Sequence, residues 1–249
     1  HRRLKQKLAQ LDRLRQIDCA KLSRDDRENW DVFLEVLTTD IRDLEFETYL
    51  VPITNRSGFH ISFPELPDRV PLNSVRDYED YVSRLGLFES YAQEHIELMQ
   101  AGIRKGFVLP AVVLRDYKKA IEAHIVDDPS DSLLYAPFGR FPDTVGEEDR
   151  KRLERAGSDA IRTSVVPGYR RFLQFMERHY VPAARATIGA SELPRGREYY
   201  RFAIRKFTTL DLTAQEVHQT GMSEVRRIRA EMLDVIRKTG FDGDFAAFV

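Results

Sequence analysis

Five histidines lie inside the chain, at His60, His95, His124, His179 and His218. A helical zinc site needs two ligands one turn apart, so that both imidazoles reach one ion from the same face. No two of these histidines stand within four residues of each other, so no His-x-x-x-His pair exists. His124 and Asp127 make a His–carboxylate pair at helical spacing, whose simplest meaning is a helix-end contact. The single Cys19 excludes an internal disulfide and a cysteine-based zinc site, and Asp18 beside it disfavours a reactive thiolate. Gly-x-Ser-x-Gly, Walker and dinucleotide-binding patterns are absent. The sequence therefore offers no catalytic residue, no metal ligand set and no cofactor motif of its own. Arg226, Arg227 and Arg229 could clamp a peptide carboxylate, but pairing with Glu224 and Glu231 on the same helix is the simpler reading. Glu147, Glu148 and Asp149 read as the acidic first turn of a helix.

The elements that would position such residues are helical. Hydrophobic residues make up 42% and charged residues 32% of 249 residues, an ordinary soluble composition that leans towards helix. A net charge of -1 provides no field for nucleic acid. No apolar run approaches the roughly 20 residues of a transmembrane helix. His1-Arg2-Arg3-Leu4 opens directly into a helical pattern, and Asp244 to Val249 begins a new apolar segment, so the expectation is one domain over 1–249 cut at both ends from a longer protein.

Leu4, Leu8, Leu11, Leu14 and Ile17 step by four and three, predicting a first amphipathic helix. Ser23 with Asp26 starts a second, carrying Trp30, Phe33, Leu34, Leu37, Ile41 and Leu44 on one face, and the two should form a hairpin. Pro52, Pro64, Pro67 and Pro71 make 51–72 a loop, with Phe59, Ile61 and Phe63 allowing at most a short extended segment. Ser74 caps a helix ending near Gly86, and a further one runs to about Gly106. Another opens at Pro110. The aromatics of a second Pro-rich loop, 128–146, suggest docking onto helices. A charged helix from Glu147 to Val165 leads to Pro167, which should open a separate helix. The fold class predicted is all-α, an elongated multi-helix domain of about ten helices with two Pro-rich loops.

Ala203 to Asp244 is the most strongly specified stretch. Thr213 and Glu216 form a capping box, Val217, Val225, Ile228, Met232, Val235 and Ile236 keep a helical period, and Gly240 supplies the stop. A long amphipathic helix, central to the fold, is expected there.

The same stretch carries a family resemblance. Thr208-Thr209, Leu212-Thr213, Glu216, His218, Gly221, Glu224-Val225, Arg227-Ile228 and Glu231-Met232, followed by Gly240-Phe241 and Gly243-Asp244, resemble the bacterial family known as domain of unknown function 885. Lys105-Gly106, Tyr135, Pro137-Phe138, Val166-Pro167, Tyr180, Pro194 and Tyr199-Tyr200 fit it too, and the likeness runs from about Leu14 to the end. Members resemble helical zinc metallopeptidases whose His-Glu motif lies downstream of this block. The resemblance implies a non-catalytic scaffold portion of a zinc-peptidase-like protein, with zinc, a peptide substrate and the missing C-terminal half as partners of the full-length protein. It makes Tyr199, Tyr200, Thr208, Thr209 and His218 candidates for lining a substrate cleft, against plainer roles in capping and packing. A periplasmic or membrane-anchored lipoprotein location and self-association of the isolated chain are further expectations. The alternative is a self-contained helical protein-binding module whose loops 51–72 and 128–146 recruit another protein.

Overall fold

Polar caps set the helix starts. In the computed structural model, which describes residues 2–248, Ser23 and Ser74 accept from the N–H groups of Asp26 and Asp77 and open α2 (Arg24–Glu45) and α4 (Val75–Gly86). His1 and Val249, named above at the two ends, lie outside the described residues. Eleven α-helices and several 3-10 turns make up the described chain, with no strand among them, so the fold is all-α. One isolated bridge joins Pro110 to Arg185. The chain divides into two compact units, 1–194 and 195–249.

In the first unit α1 (Arg2–Arg15) and α2 form the expected hairpin. Leu11, Leu14, Leu37 and Ile41 are buried in it, and the Trp30 indole N–H donates to the Leu14 carbonyl at 3.1 Å. Phe33, expected on the inward face, is instead 47% exposed. The stretch 59–63 takes no extended form: α3 (Phe59–Ser62) is one helical turn, continued by a 3-10 helix over Phe63–Asp68. Gly58 permits this start, because its φ of 141° is one that L side chains rarely adopt. α5 (Phe88–Lys105) ends where Gly106 turns left-handed, and α6 (Tyr117–Glu122) is short. The loop 128–146 docks as anticipated: Leu134 and Phe138 are buried, while the Tyr78 and Tyr81 hydroxyls donate to the carbonyls of Pro137 and Leu134 at 3.2 and 2.8 Å.

Pro167 does not begin a new helix. α7 (Glu147–Ala160) runs without a break through a π-turn at Ile161–Val165 into α8 (Val166–Phe175), and a second π-turn follows at Met176–Tyr180. Proline removes one N–H and its ring crowds the carbonyl four residues back. The wider turn, closed by the Val166 N–H on the Ile161 carbonyl, accommodates both defects without ending the helix. Ser164 inside this turn ties the rod to the α4–α5 junction, donating to the Gly86 carbonyl and accepting from the Glu89 N–H, each at 3.0 Å. Phe88 stacks on Tyr169 with ring centres 4.6 Å apart, at the heart of the core.

The second unit holds α9 (Gly196–Thr208), α10 (Ala214–Lys238) and α11 (Phe245–Phe248). The capping box is present in full: the Glu216 N–H donates to the Thr213 hydroxyl at 3.2 Å, and the Thr213 N–H returns to the Glu216 carboxylate at 2.8 Å. Gly240 is left-handed, with φ 74°. The expectation that this helix is central fails. Only Ile236 of α10 is buried, whereas Val225 is 61% and Val235 57% exposed.

Candidate functional site

Two of the five cleft candidates work as a helix end. Thr209 is left-handed at the C-terminus of α9, its N–H bonded to the Arg205 carbonyl at 2.8 Å. The Thr208 hydroxyl donates to the Ile204 carbonyl at 2.7 Å and accepts from the Leu210 N–H at 3.1 Å. Tyr199 is half-buried with its ring 6.4 Å from that of Phe202, and Tyr200 is exposed. His218 stands exposed on α10. The structure thus joins Thr208 to Thr209 at one turn. Tyr199 and Tyr200 stand about two turns earlier on α9, and His218 stands in the second turn of α10.

Beside His218 the α10 surface is apolar over its length, through Val217, Val225, Ile228, Met232 and Val235, with Met222 and Leu233 flanking. The arginines expected to pair do so in part: Arg227 bonds both Glu224 and Glu231 at 2.7 Å, and the Arg229 guanidinium lies over the Phe245 ring at 5.2 Å. α10 therefore presents an exposed hydrophobic row, with Arg227 paired to carboxylates along the helix.

In the first unit the histidines tell a different story. His60, on α3, is 5% exposed, and its Nδ1 has no hydrogen-bond partner. Burial pulls its pKa down to about 4, with the nearby His124 adding to the shift. Burial lowers the pKa of His124 as well. Both rings are clamped by α8: the centres of His60 and Phe172 are 5.3 Å apart, those of His124 and Tyr169 4.7 Å, and the Tyr169 hydroxyl donates to the His60 carbonyl at 3.0 Å. His60 lines a cavity of about 340 Å3 walled by residues of 53–61, 112–121 and 172–176. A larger groove of about 670 Å3 on the α1–α2 hairpin is open and charged, and its Lys7 and Asp40 already pair at 2.7 Å. The cavity at His60 is the better enclosed of the two. Sequence reading missed it because His60 and His124 stand far apart in the chain on different elements and come near each other only in the fold.

Elsewhere His95 bonds the Tyr91 carbonyl within α5 at 2.8 Å, and the His179 ring lies 6.0 Å from that of Phe175. Among the described residues no three His, Cys, Asp or Glu side chains form a group that could hold a metal ion. None of the described helices is long and apolar enough to cross a membrane.

The fold has a solved counterpart. The chain is similar to "the putative lipoprotein from Colwellia psychrerythraea", with a TM-score of 0.87 and 19% identity over 97% of this chain. It spans 43% of that protein's length, and at this identity the likeness shows the fold alone. No curated protein matches. The family model described as bacterial protein of unknown function matches residues 1–249, the full extent of the chain. This chain belongs to the bacterial family of unknown function DUF885.

Proposed function

We propose that these residues form a non-catalytic helical scaffold of a larger, zinc-peptidase-like protein, and that the apolar face of α10 packs against the remainder of that protein. The observation that carries this reading is α10 itself. Its start and stop are specified by the capping box and Gly240, yet Val225, Ile228, Met232 and Val235 remain in water. Burying one such side chain stabilises by about 1.5–3 kcal/mol, so the row holds a driving force of several kcal/mol for association. The structural counterpart more than twice as long as this chain is consistent with a further segment as the occupant.

In this proposal the zinc belongs to the remainder, where a bound ion would activate water and polarise a peptide carbonyl. Tyr199, Tyr200, Thr208, Thr209 and His218 would face the resulting cleft, with the exposed Tyr200 and His218 free to meet a peptide. A location outside the cytoplasm, by lipid anchoring, goes with the same proposal. A self-contained module recruiting partners through loops 51–72 and 128–146 has less support, because Phe59, Leu134 and Phe138 in those loops are spent on the core.

The test is one pair of substitutions in two lengths of protein. Val225→Glu with Met232→Glu should change the unfolding free energy of the 249-residue chain, measured in urea, by less than about 0.5 kcal/mol, since both side chains are already exposed. In the full-length protein the same pair should cost several times that. Equal small effects in both lengths would overturn the proposal.

A further inference from the structure

We infer that the grooved face of the α1–α2 hairpin is the contact between two copies of this chain, α1 of each lying along α2 of the other in a four-helix bundle. The two helices carry opposite charge. α1 holds six Lys and Arg against Asp12 alone, whereas α2 holds eight Asp and Glu against three arginines. Among the described residues, Lys7 is the one cation of α1 paired with a carboxylate, Asp40. Most of the attraction between a basic and an acidic helix is therefore left for a partner. Spacing gathers the relevant residues on one face. Arg3, Gln6, Gln10 and Arg13 step by three and four along α1, and Phe33, Val36, Asp40 and Asp43 do the same along α2. The four α1 residues, with Asp40 and Asp43, line the groove of about 670 Å3. Phe33 and Val36 continue the α2 row and are each 47% exposed. The hairpin packs chiefly on itself, and the 3-10 turn at Thr48–Leu50 joins it to α5.

Charge selects the occupant. It has to offer an acidic edge to α1, a basic edge to α2, and apolar side chains to Phe33 and Val36. A second hairpin does all three. A two-fold axis parallel to the helices exchanges α1 and α2 between copies and keeps every residue at its own height. Lys7 and Asp40 pair within one hairpin, so they stand at one height. The axis therefore sets Arg3 of each copy level with Asp43 of the other, one turn from that pair. Phe33 and Val36 are covered by the facing copy in the same arrangement. Burial of these apolar side chains supplies affinity, and the charges decide which helices meet.

The test keeps α10 out of play. With Val225→Glu and Met232→Glu in place, the 249-residue chain should still sediment as a dimer at about 1 mM, where even a millimolar contact is half formed. On that background Arg3→Glu and Asp43→Lys should each raise the dimer dissociation constant about tenfold or more, because each sets like charges opposite one another twice per dimer. An equimolar mixture of the two should dimerise again, since both contacts then join opposite charges. Phe33→Ser should weaken the dimer similarly without altering any charge. Failure of the reading proposed for α10 would leave these results unchanged. The inference is overturned if the chain stays monomeric, if the charge swaps leave its affinity unchanged, or if their mixture does not recover. It is overturned as well if the full-length protein stays monomeric where the 249-residue chain dimerises, which would assign the face to the remainder.

Discussion

At the scale of single residues the chain has one expensive feature, a neutral histidine buried without a full set of hydrogen bonds. An unfolded histidine titrates near 6.5, whereas burial holds His60 at about 4. Below pH 6.5 the unfolded chain takes up a proton that the fold refuses, so stability is complete above that pH and falls as pH drops towards 4. The share due to His60 is about 2 kcal/mol between pH 7 and 5. Urea unfolding at those two pH values should therefore show a smaller loss for His60→Phe than for the parent protein. Identical losses would mean that His60 is hydrated in the fold. Nothing in the sequence announces this residue: the alternation of Phe59, Ile61 and Phe63 places His60 on the polar side of an extended segment, and only the helical turn after Gly58 carries it inside.

At the scale of elements, what is local was legible and what depends on neighbours was not. Ser23, Ser74 and Thr213 mark true helix starts, because a side-chain oxygen answers an N–H three residues on whatever surrounds it. Pro167 misleads, since proline suits both a first turn and the turn after a π-bulge. The apolar period of α10 identifies a face but says nothing of what covers it. Glycines within helices show the same dependence on neighbours. Alanine is the better helix former by about 1 kcal/mol, so Gly221→Ala, which meets nothing within 4 Å, should stabilise by up to that amount. Gly157→Ala in α7 places its methyl 2.3 Å from Phe138 Cζ, and overpacking of about 1–3 kcal/mol outweighs the propensity gain. Thermal unfolding should rank Gly221→Ala above the parent and Gly157→Ala below it. The reverse order would show that Phe138 yields without cost.

At the scale of the whole molecule, the composition pointed to helix and the absence of cysteine pairs to a core without disulfides, which agrees with an all-α chain. The division after Pro194 had no compositional signal. We retain as a proposal that residues 1–249 unfold as one cooperative domain, in which case the calorimetric and van't Hoff enthalpies coincide. Two transitions, the weaker one lost on deleting 195–249, would instead make each compact unit an independent folding body. The candidate residues of α9 and α10 would then need the remainder of the protein to become ordered into a site at all.

The π-turn at Ile161–Val165 also has a genealogical meaning. A turn of this kind corresponds to one residue added to an α-helix, and each added residue advances the side chains downstream by about 100° around the axis. Deleting a single residue from 161–165 would leave an ordinary helix and yet misdirect everything after it, swinging Tyr169 and Phe172 away from Phe88 and His60. Within the lineage of this fold, that segment should tolerate exchange of residues far more readily than change of length.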